Sequence, residues 1–233
     1  MSVRLPHGGH MTLGAHIVET TRVDAFCEAA LRRAGLSWGN PATRAAFVDC
    51  LPFRRGGDSE AHAQDMASSQ YCCGTSTMGT LQECGFSGTV VRFRGRPTCD
   101  PLREPYAPHY DAPVYLETLG QQRGLLQRPS KGEPPAIRRG SVLEIGGGPA
   151  YGGAAHIVQV IDKRDDGTLD TIEGGKTDLK NASHGTLITE DHRELYQRAD
   201  GSWWLRDSGS QSLGRALRWW WWVGDLPMEP EAV

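Results

Sequence analysis

Long apolar runs are missing from the chain. Nowhere do about 18 consecutive apolar residues occur, so no membrane-spanning helix is expected. A charge excess is missing too: 25 Lys and Arg against 28 Asp and Glu give a net charge of −3, too little for an electrostatic footprint on nucleic acid. The first ten residues, Met1 to His10, lack the apolar core of a Sec signal, so synthesis is expected to end in the cytoplasm. The six cysteines (Cys27, Cys50, Cys72, Cys73, Cys84 and Cys99) include no C-x-x-C pair. No histidines stand at zinc-ligand spacing either, so no metal site is expected. Without a signal peptide, thiols in a chain of this length are expected to stay reduced. The glycine-rich stretch from Gly146 to Gly153 lacks the Lys-Ser/Thr ending of a phosphate loop and suits the rim of a cleft. No cofactor is expected.

What is present suits one folded domain. The 233 residues, 38% apolar and 23% charged, can bury a substantial core, and 29 glycines with 14 prolines imply many turns. Residues 1–19 read as a flexible N-terminal arm and 20–233 as a single domain, with a helical half over 20–128 and a sheet half over 137–225. Phe26, Ala30, Leu31 and Ala34 share a helix face over 23–34, stopped by Gly35. Short helices are expected over 41–50 and 58–67, then a helix led by Cys72-Cys73 and closed by Gly85, then another over 112–127. Residues 89–94 suit a short strand or loop, and 97–108 is proline-rich and irregular. Past the linker at 129–135 the periodicity turns from helical to alternating. Strands are expected at 141–145, 155–161, 168–173, 185–190, 194–198, 202–206 and 214–223. Helices first and an antiparallel sheet afterwards make an α+β arrangement.

Reactive chemistry gathers at three places. A cysteine in the first turn of a helix meets the positive end of the helix dipole and outward-facing N–H groups, which favour thiolate. Cys73 is the candidate nucleophile, with Cys72 as its rival. His156 is the candidate base. If the hairpin turn is centred between Arg164 and Asp165, His156 faces Glu173 across the ladder, where a carboxylate would hold one imidazole tautomer. Asp170 is the rival carboxylate. A slip of one residue would separate the pair.

The helix from Cys73 to Gly85, the strand Arg139-Gly140-Ser141-Val142-Leu143, the strand His156-Ile157-Val158 and the return Thr171-Ile172-Glu173-Gly174-Gly175 together resemble the CHAP and NlpC/P60 cysteine amidases. The resemblance covers about residues 58–225. It implies a papain-like fold, N-terminal helices packed on a C-terminal antiparallel sheet. It also implies a Cys73–His156–Glu173 triad cleaving a peptidoglycan amide through a thioester, with N–H groups at the helix start steadying the oxyanion. The implied partner is a peptidoglycan stem peptide or muropeptide. The implied setting is the periplasm or cell wall, reached by lysis or specialised secretion as a phage-type lysin or antibacterial toxin. A toxin would have an immunity protein as a further partner. The chain departs from the pattern at Ser141, where an Asp is usual, and at Gly175, where an Asn is common. No second histidine follows His156 suitably, which favours the CHAP-like triad. The same triad also suits a protease, deamidase or acyltransferase acting on another amide. A non-catalytic glycan-binding module is the remaining reading, for which Trp219 to Trp222 could stack on sugars. Burial of at least two of these four is expected.

Overall fold

A computed structural model describes residues 2–4, 10–51, 72–93, 95–102, 112–146, 155–178, 180 and 183–228. Short strands β1 (Ser2–Arg4) and β2 (His10–Thr12) pair with each other, and helix α1 (Leu13–Leu31) follows. Then come α2 (Arg44–Asp49), α3 (Cys72–Glu83), the hairpin β3 (Val90–Phe93) and β4 (Arg96–Cys99), and α4 (Ala112–Gln122). The second half is all strand: β5 (Ser141–Gly146), β6 (His156–Lys163), β7 (Thr168–Asp178), β8 (Ser183–Gln197), β9 (Trp203–Asp207) and β10 (Arg215–Trp222), ending in a 3-10 turn at Val223–Asp225. The helix expected over 58–67, the serines before Cys72 and most of the glycine-rich loop lie outside the described residues. Helix α1 begins at Leu13, ten residues ahead of the apolar face that marks it in the sequence.

The papain-like α+β arrangement expected from the sequence is not what forms. The described residues are mostly β, and β10, β5, β6, β7, β8 and β9 close in that order into an antiparallel barrel. Closure is made by β9 and β10 through the pairs Arg215↔Leu205 and Ala216↔Trp204. Register shifts in β6, β7 and β10 bend the sheet, as bulges do. The strands expected at 185–190 and 194–198 belong to one long β8 that pairs with both β7 and β9 and ends at Gln197. Alternation shows which residues share a face. It does not show whether the end strands will meet, and here they do.

A closed barrel owns an interior that needs no helices. Leu143, Ile145, Val158, Val160, Leu169, Leu205, Leu217 and Trp220 fill it. The helices pack outside, where Val142, Ile157, Ile161, Ile172, Trp219 and Trp221 meet Phe26, Met78, Leu81, Leu116 and Leu119. The tryptophan run therefore covers both faces of β10, and Trp219, Trp220 and Trp221 are all buried. Trp221 donates from Nε1 to the Leu116 carbonyl, while Trp222 donates to the Arg139 carbonyl and lies under the Arg138 guanidinium. Among the described residues no helix is long and apolar enough to cross a membrane.

Candidate active site

Helix α3 is buried from Cys72 to Leu81 although its sequence, CCGTSTMGTLQE, is a poor helix former. Small residues are what its position requires. It is packed against β6 and β7 on one side and α1 and α4 on the other. The hydroxyls that would compete with the helix instead fold back onto it: Ser76 and Thr77 both donate to the Cys73 carbonyl (3.0 and 3.1 Å) and Thr80 donates to Ser76 (3.0 Å). A Cβ on Gly174 of β7 would stand 2.7 Å from the Cys72 carbonyl oxygen, so only glycine lets strand and helix start approach this closely.

Closeness separates the two adjacent thiols. The Cys72 sulfur accepts the Gly175 N–H at 2.7 Å, and burial pushes its thiol far up. Cys73 faces the histidine instead. Burial pushes its thiol up as well, but the hydrogen bond and charge of His156 and the N–H groups of Ile157 and Gly74 outweigh this, and the net shift is downward. Burial also raises the thiols of Cys27, Cys50 and Cys84. None of the six cysteines is joined in a disulfide.

His156 opens strand β6 on the face that continues into the barrel as Val158 and Val160. Its Nε2 is 2.7 Å from Glu173 Oε2, which leaves Nδ1 for the Cys73 sulfur. Burial alone would lower the imidazole. The Cys73 and Glu173 hydrogen bonds and charges overcome that and push it up to about 9. The histidine and carboxylate meet by a different register from the one expected. The hairpin turn centres on Asp166, with the Arg164 N–H bonded to the Thr168 carbonyl at 2.9 Å and Gly167 at φ +86°. Carried straight along β6, that turn would set His156 and Glu173 on opposite faces. A bulge between Val160 and Asp162 shifts the ladder by one, to Gln159↔Ile172. One further step sets Glu173 beside Val158, two residues from His156 and on its face, so the contact is diagonal.

Glu173 has no solvent exposure and is held on every side. Arg193 reaches it with Nε at 2.6 Å and Nη2 at 2.5 Å, Thr171 donates its hydroxyl at 2.9 Å, and Lys176 Nζ stands 3.3 Å away. Burial would raise this carboxyl. The His156 and Arg193 bonds and charges hold it well below the usual carboxylate range. Arg193 also binds Asp207 of β9. The sequence reading missed it because it placed a break between residues 190 and 194. A continuous strand would have set Thr189, Asp191 and Arg193 on the face of the apolar Leu195, an inward polar series that could have marked the site. Asp170 does not reach His156; it pairs with His192 Nδ1 at 2.6 Å and with Arg164. No protein-family model matches the chain, and neither a curated protein nor a solved structure matches it.

Proposed function

We propose that the chain is a cysteine-dependent amide hydrolase in which Cys73 is the nucleophile, His156 the general acid and base, and Glu173 the carboxylate that orients the histidine. The observation that carries this reading is the continuous chain Cys73–His156–Glu173, with a depressed thiol at one end and a buried, ionised carboxylate at the other. Cys73 is shifted down and His156 is pushed up to about 9, so each shift favours the thiolate and imidazolium forms of the pair.

The chemistry then runs in two halves. The thiolate attacks the amide carbonyl carbon, and the oxyanion that forms is steadied by N–H groups of the first turn of α3. His156 gives its proton to the leaving amine as the C–N bond breaks, leaving a thioester on Cys73. Neutral His156 next takes a proton from water, which attacks the thioester carbonyl. The acid departs and the ion pair is restored.

The substrate class rests on the likeness of the Cys73, His156 and Glu173 segments to CHAP and NlpC/P60 amidases. On that likeness we assign a peptidoglycan amide as the bond cleaved and the periplasm or cell wall as the place of action. Entry would follow lysis or specialised secretion. An immunity protein would accompany the chain if it is a toxin. Mass spectrometry of muropeptides released by the wild type and by Cys73→Ala tests this. New amine and carboxyl ends in the wild-type digest alone support the assignment. Digests that both match buffer remove the cell wall as substrate, and small amide or protein substrates then take its place.

A further inference from the structure

We propose that Arg193 is a positioning residue for the Cys73–His156 pair, acting through Glu173 to keep that carboxylate ionised and aimed at His156 Nε2. The assignment rests on the reading of Cys73 as nucleophile. A carboxylate with no solvent exposure must be compensated by its neighbours. Arg193 does so with a planar fork: Nε meets Oε1 at 2.6 Å and Nη2 meets Oε2 at 2.5 Å. Two parallel bonds fix the plane of the carboxylate, which a lysine ammonium could not do. Oε2 is thereby directed at His156 Nε2, 2.7 Å away.

Arg193 is itself anchored. Its Nη1 binds Asp207 on β9, and Nη2 stands 3.7 Å from Asp191, which takes Lys176 at 2.5 Å. The charged and titratable groups around Glu173 are therefore His156 from β6, Lys176 from its own strand and Arg193 with Asp191 from β8. Asp207 of β9 acts through Arg193, and Cys73 of α3 lies beyond the imidazole. Loss of the guanidinium makes this cluster more negative, so protons bind it more readily. Thiolate at Cys73 then forms only at higher pH.

Iodoacetamide alkylation of Cys73 in the full chain, followed by peptide mass spectrometry as a function of pH, reads that event without any substrate. In Arg193→Met the acid limb of the profile is expected to move up by about 1 pH unit, and peptidoglycan turnover to fall ~100-fold. Asp207→Asn leaves the guanidinium less neutralised and is expected to move the limb the other way, by about 0.3 unit because Asp207 is largely solvated. A purely structural Arg193 would lower the melting temperature of Arg193→Met and leave its limb on the wild-type curve, which overturns the proposal. Should Arg193→Met fail to fold, Asp207→Asn decides: a downward shift supports the proposal and an unmoved limb overturns it. Wild-type Cys73 alkylating no faster than Cys72 at neutral pH would instead remove the nucleophile on which the proposal stands.

Discussion

Two histidine–carboxylate pairs lie on the β6–β7–β8 ladder at almost the same distance, and they have different surroundings. His156 and Glu173 meet at 2.7 Å with side-chain exposures of 11% and 0%, and His192 and Asp170 meet at 2.6 Å with exposures of 50% and 13%. The first pair has a thiol at the far nitrogen of its ring and a buried arginine behind its carboxylate. The second has a half-exposed Arg164 and solvent. A short contact is thus not what marks a site. Removal from water strengthens the charges of the first pair and lets them act on a neighbouring sulfur, whereas solvent screens the second.

The comparison can be broken most sharply at the sulfur. Cys73→Ala is expected to lower turnover by about 10⁴-fold or more, whereas Cys72→Ala, whose thiol faces the Gly175 N–H, should stay within about tenfold of wild type. Equal losses in steady-state assays would contradict the separation of the two thiols. At the imidazoles, His156→Ala should cost about 10³-fold in kcat, and His192→Ala should leave kcat unchanged. At the carboxylates, Glu173→Gln strips Arg193 of its buried counter-charge and should cost about 3 kcal/mol in denaturant unfolding as well as activity. Asp170→Asn should alter neither measurably.

Smaller effects sharpen the picture. Gly174→Ala drives a Cβ against the Cys72 carbonyl and should move the helix start away from β7, lowering kcat about tenfold with little change in KM. The pH profile should be bell-shaped. Activity is lost on the acid side as Cys73 takes up a proton, and on the alkaline side as His156 loses its proton at about 9. Stability follows with its own signs. The Glu173 contribution is present above the ordinary carboxyl value of 4.5 and lost as pH falls through its lower folded value. That of His156 is full below 6.5 and lost as pH rises through about 9.

Much of this was legible in the residues, although not always for the right reason. The strands of the second half stand near their expected places because short apolar runs bounded by Gly and Asp turns mark them locally, although β5 and β6 are buried on both faces. The close of α3 near Gly85 is likewise a local matter, since the glycine takes a positive φ. Barrel closure was not legible, because the pairing of Arg215 with Leu205 is a meeting of strand ends that no periodicity encodes. The contact of His156 with Glu173 was anticipated from direct opposition. It forms diagonally, through a turn centred on Asp166 and a bulge at Ile161 whose combined parity restores the shared face. Arg193 carries no local signal, because the residues between 190 and 194 look like a break between strands when the fold is absent.

The central claim is that Cys73 and His156 form an ion pair, and the protonation state of the His156 ring reports on it directly. NMR of isotopically labelled histidine across the pH range should find His156 doubly protonated at neutral pH and losing that proton near 9. In Cys73→Ala the same proton should leave at lower pH. A wild-type His156 that is neutral at neutral pH, and unaffected by loss of the Cys73 sulfur, would contradict the account.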